Sequence, residues 1–125
     1  MKYLPCIAGG LLGAMFIAIS LMVLTGKAPP PPTPLPEASL QFMAAFGGGY
    51  MIFVKIFELL GGILVAIPKT RNYGLLILGP IIINILAYHQ FVQKDGILQP
   101  MLLVPAALAL YLLWVGRRAF AGLKN

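Results

Sequence analysis

Apolar positions gather into four runs along the chain, and polar ones gather almost wholly between them. The first run covers Leu4 to Leu24 without a charge. The second covers Phe42 to Ile67 and holds Lys55 and Glu58, and the third covers Tyr73 to Val92 with Pro80 near its middle. The fourth is shorter, from about Leu98 to Val115. None alternates with a period of two, as a half-buried strand would. At about 1.5 Å of rise per residue, runs of this length approach the ~30 Å hydrocarbon core of a bilayer. The pattern predicts an all-α, integral membrane four-helix bundle forming one domain over residues 1–125, with spans at 4–24, 42–67, 73–92 and 98–115.

The polar segments fit that reading. Lys27 to Glu37 contains six prolines. Proline lacks an amide donor and has a fixed φ, so this segment predicts an extended strap between two helix ends. Pro68 closes the second run, Lys69 to Asn72 predicts a tight turn, and Lys94-Asp95-Gly96 predicts another. The first run exceeds the roughly 7–15 apolar residues of a cleaved leader and has no small-x-small site before the prolines, so a retained helix is expected.

Composition sharpens the class. The chain of 125 residues is 60% hydrophobic and 10% charged, with a net charge of +6. Soluble domains are about 45–50% apolar. The basic residues lie at the ends of the apolar runs, with no basic stripe carrying interleaved aromatics, so no nucleic-acid partner is expected. Lys2, Lys69, Arg71, Arg117, Arg118 and Lys124 share one predicted face, against Lys27 and Lys94 on the other. That bias places both termini in the cytoplasm and the strap outside, in a multi-pass protein of a bacterial inner membrane. Tyr3, Tyr111 and Trp114 suit an aromatic belt. Cys6 is the only cysteine. It forms no internal disulfide and is expected as a small buried hydrophobe.

The chemistry concentrates in four side chains within the second and third runs: Lys55, Glu58, Asn84 and His89. An ionised group at mid-membrane costs roughly 2.5–3.5 kcal/mol on insertion scales, and such residues mark functional sites. Lys55 and Glu58 are three apart, so they share a helix face and pair. Met51, Lys55, Glu58 and Gly62 form one stripe. Gly47, Gly48, Gly49, Gly61 and Gly62 flank it, and small residues allow close helix approach in lipid. The second helix is therefore expected at the centre of the bundle with its polar stripe inward. In an antiparallel hairpin Glu58 and Asn84 come level, which sets Asn84 to hydrogen-bond Glu58 or Lys55. Tyr88 follows Asn84 on the same face, while His89 lies about 140° round and level with Met51. Pro80 frees the carbonyl of Leu76 for a neighbouring donor. No metal site is expected, since ligands come in sets and His89 has no second histidine. Nucleotide loops, hydrolase elbows, HExxH and haem-binding histidine pairs do not occur in the sequence.

Three elements in order resemble the DoxX-like family of small membrane proteins. They are a proline-rich first loop ending Pro34-Leu-Pro-Glu-Ala38, with Gly49-Tyr50 beyond it; a helix reading Lys55-x-x-Glu58-x-x-Gly61-Gly62; and a helix reading Pro80-x-x-x-Asn84-Ile-x-x-x-His89. The resemblance covers about residues 26–120. It departs at Ala28, where members often place an aromatic after a Gly-Lys pair such as Gly26-Lys27. The resemblance implies a four-helix membrane fold. It also implies association with redox chemistry, since some relatives are subunits of a thiosulfate:quinone oxidoreductase and others belong to membrane thiol and oxidative-stress complexes.

Two functions are compatible with these residues. In one, the protein is an accessory or structural subunit of a membrane redox complex without catalysis of its own, the polar pair being structural glue. In the other, Lys55, Glu58, Asn84 and His89 bind a quinone or lipid-like molecule, with Gly61, Gly62 and Pro80 shaping the helices around it. Catalytic residues are unassigned. The expected partners are the lipid bilayer and other membrane subunits or further copies of the chain.

Overall fold

A computed structural model describes residues 3–27, 34–46, 49–92, 94 and 98–123. Lys2, most of the proline strap, Gly47, Gly48, Asp95, Gly96, Ile97 and Lys124 lie outside the described residues. Those described form helices and turns without strands. In order they are α1 (Leu4–Leu24), α2 (Glu37–Phe46), α3 (Gly49–Ala66), a 3₁₀ turn (Pro68–Thr70), α4 (Arg71–Ala87), a π-helical turn (Tyr88–Val92), α5 (Pro100–Val115) and α6 (Arg117–Ala121). Three stretches are long and apolar enough to cross a membrane: Leu4–Leu24, Gly49–Ala66 and Pro68–Val92. α5 is shorter, about 24 Å at 1.5 Å per residue.

The exterior explains the class. Ile7 and Leu11 on α1, Ile52, Phe53 and Ile56 on α3, Ile83 on α4 and Leu110 on α5 are all exposed. Helices apolar on every side bury one face in protein and offer the rest to lipid. This is a membrane protein by its surface as well as its composition.

α3 packs between α1 and α4, and α5 closes the ring by touching both α4 and α1. The Lys55 helix therefore packs against helices on both sides, as a member of the ring. The core lies in one half of the ring and is built from Ala8, Leu12 and Phe16, Val65, Leu75, Leu78 and Ile82, and Ala109 and Leu112. Glycines set the spacing there. A Cβ on Gly13 would stand 2.5 Å from the carbonyl oxygen of Gly62, and one on Gly61 would stand 2.7 Å from Leu78. A Cβ on Gly74 would strike the backbone of Val65 and lie 2.8 Å from the Gly61 oxygen. These contacts run antiparallel from α1 to α3 and from α3 to α4. Gly61 and Gly62 thus fill the packing role expected of them. Gly49 does not, since nothing lies within 4 Å of the Cβ it lacks.

Local chemistry fixes the helix ends. α1 starts with proline in its first turn and stops at Thr25. Gly26 then takes φ +72°. The amide of Lys27 donates to the Met22 carbonyl at 2.8 Å and that of Gly26 to Val23 at 3.1 Å. This is the Schellman arrangement, which favours glycine at the left-handed position. Gly26→Ala is expected to cost about 1–2 kcal/mol, read as a lower thermal midpoint in detergent. Ile67, extended at φ −92° and ψ 120°, obeys the restriction on residues before proline. The Thr70 hydroxyl then donates to the Leu64 carbonyl at 2.8 Å and caps α3.

Within the run 42–67, α2 reaches Phe46 and α3 starts at Gly49, with Gly47 and Gly48 outside the described residues. Two expectations are corrected. The turn after Pro68 is shorter than four residues, because Arg71 and Asn72 already belong to α4. Cys6 is exposed, on the outward side of α1, and not buried. Pro80, expected to shape its helix, is exposed within α4, which continues across it.

Candidate functional site: an apolar cavity around an ion pair

Beyond the glycine-packed half, the helices diverge around a cavity of about 560 Å³. Its wall draws on every long element. α1 contributes Met15, Phe16 and Ile19, α2 contributes Phe42, Met43 and Phe46, and α5 with its approach contributes Gln99, Met101, Leu102 and Pro105. The polar part comes mainly from α3, α4 and the π-helical turn that follows it. Lys55 and Glu58 face Asn84, Tyr88 and His89 across it. All four residues singled out from the sequence line this one space.

The ion pair is sheltered. Lys55 Nζ lies 3.1 Å from Glu58 Oε2, with the side chains 16% and 3% exposed. The ammonium also donates to Oε1 at 3.4 Å. The three-residue spacing on α3 makes this contact local, so it needs no help from another helix. Because the two charges cancel, the cavity carries a polarised but neutral floor. Cations and carboxylates buried singly are costly, and buried as a pair they are retained.

Register places the rest. Gly61 faces Leu78, and Val65 faces Gly74. Extended along both helices, that register sets Asn84 opposite Lys55 and Tyr88 opposite Met51. Asn84 is exposed on the cavity wall. The hydrogen bond expected from it to the pair is not formed among the described residues, because Lys55 and Glu58 satisfy one another and the amide is left facing the space. His89 reaches the same space from a neighbouring stripe. Ile82, Ile85, Leu86 and His89 follow one another at helical spacing beside the Asn84–Tyr88 stripe. The cavity is wide enough to take both stripes, so an angle of 140° does not separate the two residues. The turn carrying His89 is a π-helix, a form found often at functional sites.

Sequence reasoning missed the aromatic cover. Phe42 packs on Phe46 with ring centroids 4.8 Å apart and on Tyr88 at 5.1 Å. Phe46 meets Tyr50 at 5.5 Å, and His89 meets Tyr88 edge-on at 5.3 Å. Phe42, Phe46 and Tyr50 recur every four residues, which was the available signal. The Tyr88 hydroxyl is buried with no hydrogen-bond partner. The glycines of α1 were also missed, although Gly9 and Gly13 have the small-xxx-small spacing of helix contacts.

No family model matches the chain, and no solved structure matches it. A stretch of 74 residues is 34% identical to the uncharacterized protein YwoB of Bacillus subtilis (strain 168). That stretch is 59% of this chain and 47% of YwoB, so the chain spans about half the length of the curated relative it matches.

Proposed function

We propose that the protein is a small DoxX-type subunit of the bacterial inner membrane that binds a neutral amphipathic molecule, of quinone class, in the cavity around Lys55 and Glu58. The observation that supports this most directly is the joining of Lys55, Glu58, Asn84 and His89 in one apolar space of about 560 Å³. Small-molecule sites commonly measure about 300–1,000 Å³ and combine apolar walls with a few polar groups. A quinone head group has two carbonyl acceptors on a flat ring. The Lys55 ammonium and the Asn84 amide are donors on facing helices, while Phe42, Phe46, Tyr50 and Tyr88 provide ring faces. An isoprenoid tail would leave between apolar helices. In this reading α1, α3, α4 and α5 are the four spans, both termini are cytoplasmic and the cavity lies in the outer half.

The test is extraction in mild detergent, quinone analysis by mass spectrometry and titration with a short-chain ubiquinone. The expected result is near-stoichiometric quinone, with affinity lowered about tenfold by Asn84→Leu and by His89→Ala, as loss of one good hydrogen bond predicts. Folded protein that neither retains native quinone nor binds the added one overturns the assignment. The second reading is an accessory subunit without a ligand. It is favoured by the self-satisfied geometry of the Lys55–Glu58 pair, and it predicts co-purifying membrane chains in place of quinone.

A further inference from the structure

A separate feature lies at the opposite, glycine-packed end. Lys69 sits in the turn between α3 and α4, and Arg71 opens α4. Arg117 and Arg118 follow directly on α5. The fold draws these positions together. The Arg71 side chain crosses to α1, its Cδ lying 3.4 Å from where a Cβ of Gly9 would stand. The Asn72 Oδ1 lies 2.7 Å from the corresponding position at Gly116, beside Arg117. Asn72 thus brings the start of α4 beside the start of α6, which carries Arg117 and Arg118.

We propose that this basic end is a seat for the phosphate of an anionic phospholipid, centred on Arg71 and flanked by Lys69, Arg117 and Arg118. Three independent observations support it. The first is uncompensated charge. Among the described residues the carboxylates are Glu37 and Glu58; Glu58 is taken by Lys55, and Glu37 contacts Gln41 on α2. The second is depth. Tyr3, Tyr73 and Trp114 are 68%, 66% and 62% exposed at this same end. Exposed aromatic residues at helix ends mark the level of lipid head groups. Arg117 belongs to that layer: its guanidinium stands 4.3 Å from the Trp114 ring centroid and donates to the Trp114 carbonyl at 2.8 Å. The third is unmet hydrogen bonding. The Arg71 Nε is buried without an acceptor. A buried donor in that position is matched by an oxygen that arrives from outside the chain, and at head-group depth that oxygen belongs to a phosphodiester. Guanidinium groups suit phosphate geometry, and basic pockets between membrane helices take anionic head groups. A zwitterionic lipid brings its own ammonium and so neutralises nothing.

The proposal rests on the membrane embedding and not on the quinone cavity, which occupies the other half. It is tested with the full chain in nanodiscs made of equal parts phosphatidylglycerol and phosphatidylcholine, followed by native mass spectrometry of the lipids retained after detergent transfer. The expected result is selective retention of phosphatidylglycerol. Neutralising the exposed pair, Lys69→Gln with Arg118→Gln, should cut that preference by about twenty-fivefold, at roughly fivefold per cation. Arg71→Gln should remove it. The double variant changes exposed side chains only, so it decides the matter even where Arg71→Gln does not fold. Equal retention of both lipids by the wild type overturns the proposal. So does a folded double variant that keeps the wild-type preference, or displacement of phosphatidylglycerol by millimolar inorganic phosphate, which would mark a free-anion site.

Discussion

Glu58→Gln alone should destabilise the protein by about 3–5 kcal/mol, and Lys55→Met alone by a similar amount, whereas the two together should recover most of the loss. The reason is asymmetric. Lys55 and Glu58 are 3.1 Å apart with side chains 16% and 3% exposed, so neither has water to fall back on. Removing one partner strands a charge in an apolar wall, while removing both strands nothing. The measurement is a double-mutant cycle on thermal midpoints in one detergent, followed by circular dichroism. Single variants that melt like the wild type would show that the pair is solvated, and the cavity assignment would then lose its polar floor. The same cycle separates structure from binding. A folded, stable double variant that has lost quinone places the pair in the ligand site as well as in the fold.

The second large effect is expected at the glycine seam. Gly13→Leu should cost at least the ~3 kcal/mol at the upper end of overpacking effects, because the obstacle is backbone and cannot swing aside. A Cβ there would meet the Gly62 carbonyl oxygen at 2.5 Å and the Ala66 Cβ at 2.7 Å. Gly74→Leu should behave alike, being pressed against Val65 and Gly61. Gly10→Ala is the internal control: nothing lies within 4 Å of the added carbon. It should leave stability unchanged or raise it by up to about 1 kcal/mol through helix propensity. Equal thermal shifts for Gly10 and Gly13 variants would mean that α1 and α3 are not in close contact.

The two predictions address the two halves of one design. Glycines let α1, α3 and α4 meet backbone to backbone, and this closes the basic half of the ring. Toward the other half, Phe16, Met51, Val54, Ile85 and Met101 hold the helices apart and leave space between them. The ion pair lies where the packing opens.

Helix class and membrane character were legible in the sequence because both depend on run length and composition, which are additive along the chain. The pairing of Lys55 with Glu58 was equally legible, since a three-residue spacing on a helix is local geometry. Depth was legible to within a turn: counting rise along an antiparallel hairpin brought Glu58 level with Asn84, and the register sets Asn84 opposite Lys55. The exposure of Cys6 was not legible. In a segment apolar on every side, no periodicity tells the lipid face from the protein face.

What the sequence determined by itself is therefore a set of local and summed properties: helices, their approximate ends, a basic bias at one end and a polar stripe on α3. Tertiary structure alone decided which faces meet. Gly13 against Gly62, Gly61 against Leu78, and the aromatic cover of Phe42 and Tyr88 depend on relative rotation and tilt of helices. Those angles come from the shape of whole surfaces fitted together. A one-dimensional pattern carries the parts of that surface but not the rotation that turns Asn84 and His89 into the same cavity.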